Sequence, residues 1–569
     1  MGDANRDFLN LPFQEKLEFL YGLPARQKRD LILAAPEAAR LVQSFSPETL
    51  FYTLKEIGVA DAGDLLSLAI PEQVRWLFDL DCWDKDRPNL YRMREWIEAM
   101  AEGGRERVTD GLMSADLELV SLLLRQHIKV HRIDEPQENT DAPSDRFIQF
   151  GDHYLIEFTR RDSIQPYLLE FLEEAFERDF NYFTALMEEI YWGVEAELEE
   201  QAYQFRCARL ADHGFPDFYE AQAVFAYLEP AQFLKLREQY TPPLRDYDEP
   251  NGAALPPDLA PLAPETDNSL FNLALTAGFA AQGARQVRSE MALVTNQVLV
   301  AKGIDFGDPD AVREAVGMTH DYLNLALEHL AGGELETAIE HLRATHLQLL
   351  FRLGVSLTID LRTRAEQVMA RMGLGRTRPR EVPYLDSPYR ETLAAMLQRQ
   401  PRFFSGLESP RDSETRGFRT MRDLHLCYAM LDQLDAVRDL FVALLGLDIA
   451  AAAFRASIAG HEIKLSQILL TAFAGNALHG GAIRFTPLDA SSLTAARQLM
   501  MTPGRPARLR DDFAEALRER LAQQVDPAIL KRATPFIESC LKMFEEEFAE
   551  LDPEAPIDPR FIRSLLVRQ

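Results

Sequence analysis

The sequence predicts an all-α protein: a solenoid-like superhelix of short helices at the N-terminus, one small β-hairpin insert, and a second helical domain. Three observations carry this. Proline-opened helix starts recur near the N-terminus, at Pro24, Pro36, Pro47 and Pro71. Apolar residues recur at helical spacing, as in Leu50, Phe51, Leu54 and Ile57, or Val74, Leu77, Phe78 and Leu80. The second half contains no long run of period two.

The first element set is residues 1–130, read as a short-helix superhelical domain. Proline suits the first helical position because that N–H has no partner and φ is already set. Glu37, Glu48 and Glu72 follow three of the four prolines and suit the positive helix N-terminus. Asp61 or Asp64 marks a further start. Trp76, Trp83 and Trp96 are expected as core anchors between stacked helices. Residues 131–240 follow as a loop, a hairpin at about 147–159 turning at Gly151-Asp152, and long acidic helices from Pro166 packed on the first part. Residues 241–268 hold seven prolines and read as the principal linker. Residues 269–569 form the C-terminal helical domain.

The chain of 569 residues exceeds one hydrophobic core. Its formal charge of −29 disfavours nucleic acid and anionic lipid, whose binding needs clustered cations, and favours a basic protein partner. Cys82, Cys207, Cys427 and Cys540 lie far apart without a CxxC, which fits a reducing cytoplasm rather than a disulfide framework. The first residues are polar and acidic and do not read as a signal peptide. The most apolar region, Leu440 to Ile483, is interrupted by Asp448, Arg455, His461, Glu462 and Lys464; its remaining run, residues 466–483, carries Gln467, Asn476, His479 and a Gly pair, and reads as a buried helix with a loop, not a membrane span.

Three resemblances bear on identity. VADAGDLLSLAIPEQ, residues 59–73, with the PE and PA helix starts around it, resembles the superhelical N-terminal domain of MgtE-type magnesium transporters; the likeness spans roughly 50 residues and implies a short-helix superhelix, not transport. FDLDCWDKDR (78–87) and RLADHGFPDFYEA (209–221) resemble an uncharacterised proteobacterial family known only as a domain of unknown function, which implies no activity. YLNLALEHLAGGELETAIEHL (322–342) resembles one tetratricopeptide half-repeat, with Gly332-Gly333 at its turn and Ala338 at a helix contact.

No motif assigns catalysis, a cofactor or a metal. DLDCWDKD (79–86) fails as an EF-hand, because its sixth position is Asp84 and its twelfth Leu90, and reads as a capped helix junction. Asp305, Asp308 and Asp310 offer oxygen donors, but Asp308 is the natural cap of the helix opened by Pro309. His127 and His131 are four apart and would share a helix face. Cys82 and Cys207, in aromatic surroundings, read as buried inert thiols. A cluster of glutamates on the helix 166–200 reads as a solvated face. One local contrast stands out: Arg362, Arg364, Arg371, Arg376, Arg378 and Arg380 form a basic stretch that suits an oxyanion or an acidic partner, or else pairs with the chain's own acidic helices. The functional expectation is a non-catalytic cytoplasmic scaffold or regulatory protein-binding module. The alternatives are an enzyme with an active site dispersed through the helical core, or a divalent-cation-responsive regulator.

Overall fold

The computed structural model describes residues 8–568, except 22, 134–146, 213, 240–267, 280, 376, 383, 410, 452–453, 455–462 and 552–556. The protein is 69% helical, with small sheets of two or three strands. The Pro-rich stretch expected as a linker, all but its last residue, lies outside the described residues, as does Arg376.

The N-terminal helices are short, as their spacing predicts: α1 (Phe13–Tyr21), α2 (Ala25–Ala34), α3 (Ala38–Gln43), α4 (Pro47–Ile57), α5 (Gly63–Leu66) and α6 (Pro71–Asp81). Pro47 and Pro71 occupy first-turn positions, whereas Pro24 is an N-cap and Pro36 precedes the start of α3. Ser46 caps α4 by accepting from the Thr49 N–H at 3.2 Å. The start expected near Asp61 or Asp64 is a 3₁₀ turn, Val59–Asp61, followed by α5. Successive helices pack on one another, and Leu50, Phe51, Leu54 and Leu65 are fully buried between them.

α6 leads into a two-residue-strand hairpin, β1 (Trp83–Asp84) and β2 (Arg87–Pro88), where the sequence suggests only a capped junction. Lys85 turns it with φ 62°, a left-handed conformation that usually falls to glycine. α7 (Leu90–Glu102), α8 (Arg105–Ser114) and α9 (Leu117–Arg125) complete the run.

The hairpin expected at 147–159 is present as β4 (Phe147–Phe150) and β5 (Tyr154–Phe158), turning at Gly151. It is joined by β3 (Ile128–Arg132), giving the order β3-β5-β4. His131 lies on this strand and His127 just before it, so the two do not share a helix face. The sheet packs on aromatic helices: Phe183 lies 5.2 Å from both Phe150 and Phe176.

The long acidic helix expected from Pro166 is three helices, α10 (Gln165–Arg178), α11 (Phe180–Trp192) and α12 (Glu195–Asp212). Asp179 causes the first break by capping α11 through the Tyr182 N–H at 3.0 Å, and Gly193 ends α11. Glu188 is therefore on a different helix from Glu195 and Glu199.

After α13 (Phe218–Ala221) and α14 (Pro230–Gln239) come α15 (Leu270–Gly278), α16 (Ala281–Lys302), α17 (Pro309–Ala331), α18 (Leu335–Ala344) and α19 (Leu347–Arg371). Gly332 and Gly333, both at positive φ, turn the chain between α17 and α18. α18 packs on α15, where a Cβ at Gly278 would come within 2.6 Å of Ile339.

The chain divides into two compact units. The first comprises Met1–Ala226, Ala231–Leu323 and Gly333–Arg352; the second comprises Tyr227–Pro230, Asn324–Gly332 and Leu353–Gln569. The division passes through α19. The second unit contains α20 (Tyr389–Met396), α21 (Met421–Leu445), α22 (Leu465–His479), α23 (Leu493–Met500), α24 (Asp511–Gln524) and α25 (Pro527–Phe548). Its core lies where α21 and α22 meet α25. α22 is buried along most of its length. Among the described residues, no helix is long and apolar enough to cross a membrane.

Candidate functional site

The first unit holds a cavity of about 280 Å³. Its wall comes from parts of the chain that lie roughly a hundred residues apart. The hairpin β1–β2 and the end of α6 supply Leu80, Trp83, Asp84 and Lys85; α7 supplies Arg92. α12 supplies Tyr203, Arg206, Cys207 and Leu210, one helix face at spacings of three, four and seven. Pro216 and Phe218 close one side, and Leu299, Val300 and the loop 303–306 another.

Two buried carboxylates on α6 hold this wall. Asp79 accepts from Arg209 through both oxygens, at 2.7 and 2.8 Å, and Arg209 also binds Asp116 at 2.6 and 2.8 Å. Burial pushes the Asp79 carboxyl above its ordinary range, and Arg209 opposes that shift. Asp81 accepts from Lys55 at 2.9 and 3.1 Å, from the Trp96 indole at 2.8 Å and from Arg92 at 3.3 Å. Arg92 reaches on to Asp305 at 2.9 Å.

The lining cations differ in how far they are neutralised. Arg92 has two carboxylate partners, Asp81 and Asp305. Arg206 has none within ion-pairing distance among the described residues. It is only 9% exposed, its Nε donates to the Asp79 backbone carbonyl at 2.7 Å, and its guanidinium sits 5.2 Å from the Trp83 ring. Burial lowers its pKa, yet an arginine remains charged at any ordinary pH. Lys85 is exposed, lies 5.8 Å from the Phe218 ring and makes no ion pair among the described residues. The lining carboxylates are engaged: Asp84 accepts from Asn89 at 2.9 Å and Asp305 from Arg92. The Trp83 indole N–H is buried with no hydrogen-bond partner among the described residues.

No lining nucleophile is activated. Partial burial raises the Cys207 thiol, and the half-buried Tyr203 phenol, which donates to Asp217 at 2.8 Å, is raised as well. Cys82, fully buried behind the hairpin, is also raised by desolvation.

The basic stretch singled out in the sequence belongs to the second unit. On α19, Arg364 binds Asp432 at 3.0 Å and Asp435 at 2.7 Å, and Arg371 binds Asp435 at 2.9 Å. Arg362 donates to the Arg399 carbonyl at 2.9 Å. Arg378 lies 3.7 Å from Glu381, and Arg380 is exposed. Arg376 lies outside the described residues.

The acidic loop 303–310 is held internally too. Asp308 caps α17 through the Asp310 and Ala311 N–H groups at 3.0 and 3.1 Å, and Asp310 pairs with Arg313. Among the described residues, no three His, Cys, Asp or Glu side chains gather as a metal site. His127 is buried, with Nδ1 2.9 Å from the Leu123 carbonyl and Nε2 3.1 Å from Asp162.

Sequence reasoning missed the cavity. Its available signal was the stripe Tyr203, Arg206, Cys207, Leu210, which sets a cation among aromatic and apolar residues. The phrases 78–87 and 209–221 also turn out to be neighbours in space, both contributing to this wall.

Fold and site together define a helical protein with a cation-bearing cavity and no activated nucleophile at it. A family of unknown function, DUF6178, matches residues 5–568, and the chain belongs to that family. No curated protein and no solved structure matches it.

Proposed function

We propose that the protein is a non-catalytic regulatory binding module that receives a small ligand in the cavity of its first unit and acts on a protein partner in the cytoplasm. One observation carries the reading: the Cys207 thiol and the Tyr203 phenol are shifted away from their reactive forms, while two of the lining cations, Arg206 and Lys85, make no ion pair among the described residues. Acid–base and nucleophilic catalysis need a group tuned toward reaction. Here Cys207 is shifted away from the thiolate, and Tyr203 is tied to Asp217. The far-apart, free cysteines support a reducing compartment. The charge of −29 supports a basic partner.

The test is to incubate the purified full chain with a small-molecule extract and to follow both the free and the retained pools by mass spectrometry. The reading predicts compounds retained and released unchanged. Steady consumption of a compound with appearance of a product would overturn it in favour of an active site dispersed through the helical core.

A further inference from the structure

The volume of the cavity and the charges on its wall bear on which ligand would fit it. Pockets for drug-sized ligands run from about 300 to 1,000 Å³, so 280 Å³ suits a smaller molecule. A cavity of about 150 Å³ already admits benzene. The walls are aromatic and aliphatic on several sides, with Trp83, Phe218, Leu210 and Ile304 among them. Into this apolar setting Arg206 brings a buried positive charge with no carboxylate partner among the described residues, and the exposed Lys85 adds a second such cation. The nearby Asp79 carboxylate compensates this buried charge in part but is already engaged by Arg209, so an incoming anion would stabilise it further. In a chain of net charge −29, two cations without carboxylate partners at one cavity run against the overall field.

We infer that this cavity binds a small organic oxyanion, a carboxylate or phosphate monoester on a flat apolar body, with Arg206 and Lys85 holding the charged end. The guanidinium fork matches either oxyanion. The inference rests on the reading of the cavity as a ligand site.

Benzoate and phenyl phosphate are the probes, with benzamide as the neutral isostere of benzoate and inorganic phosphate as the anion without a body. Binding to the full chain is followed by titration calorimetry. Saturable binding of benzoate or phenyl phosphate is expected, and the tighter of the two identifies the headgroup. Benzamide and inorganic phosphate should each bind about tenfold more weakly or worse. Arg206→Gln should weaken the bound anion by about tenfold. Lys85→Ala alters only an exposed side chain, so it keeps the test valid if Arg206→Gln fails to fold; it should weaken the anion and leave benzamide unchanged. Failure of both anions to saturate at millimolar concentration overturns the inference, as does benzamide binding equal to benzoate, or Lys85→Ala binding equal to the original. Chemical conversion of a bound anion would instead contradict the non-catalytic reading and leave the anion site standing.

Discussion

Asp79 and Asp81 stand two positions apart at the end of α6 and serve different neighbours. Asp79 holds α12 through Arg209, and Asp81 ties α4 and α7 together through Lys55 and Trp96. Neither role is visible in the phrase FDLDCWDKDR, which shows four aspartates and no partners. Removing Arg209 leaves the 2%-exposed Asp79 without its ion pair. Arg209→Leu should therefore cost about 3 kcal/mol in denaturant unfolding at neutral pH. Burial already raises the Asp79 carboxyl, and losing Arg209 raises it further. A raised carboxyl supports the fold below its unfolded value and loses that support as pH climbs through its folded value. The cost of Arg209→Leu should thus be larger at about pH 7 than at about pH 5, with equal costs speaking against a buried carboxylate here. Trp96→Phe removes one donor to Asp81 and should cost about 1–2 kcal/mol by the same measurement.

At the scale of elements, caps act locally, and Asp308 ahead of Pro309 is readable as one. Ser46 before Pro47 is a cap followed by a pre-set first turn, and Ser46→Ala should cost about 1 kcal/mol in thermal or denaturant unfolding. The β1–β2 hairpin was not readable, because strands of two residues show no alternation and its turn carries Lys85-Asp86 in place of the usual glycine or asparagine. Lys85→Gly relieves a left-handed lysine, which costs about 1 kcal/mol. Stability should hold or rise while anion binding weakens; a variant that loses stability would count against the strained turn. The acidic helix 166–200 was misread as continuous because its apolar spacing survives the break, and only the capping bond of Asp179 to Tyr182 reveals it. β3 was missed since its residues, Ile128–Arg132, continue an apolar helical run and acquire their pairing only from β5, more than twenty residues on.

For the whole molecule, helix class and the small β insert were legible, since they depend on local spacing and caps. The cavity was not, because its wall combines residues 80–92, 203–218 and 299–306, and no local pattern links them. The basic stretch that was legible is largely drawn into the second unit's own ion pairs, where Asp435 meets both Arg364 and Arg371. The surface field remains strongly acidic, so duplex DNA at physiological salt should give no gel shift at micromolar protein; a shift would mean a cation cluster outside these pairs. The most direct measurement for the account is hydrogen exchange of the full chain with and without saturating benzoate. Slowed exchange confined to residues 80–92, 203–218 and 299–306 is the predicted result. Slowing elsewhere in the chain, or none at all, would contradict the placement of the ligand site in this cavity.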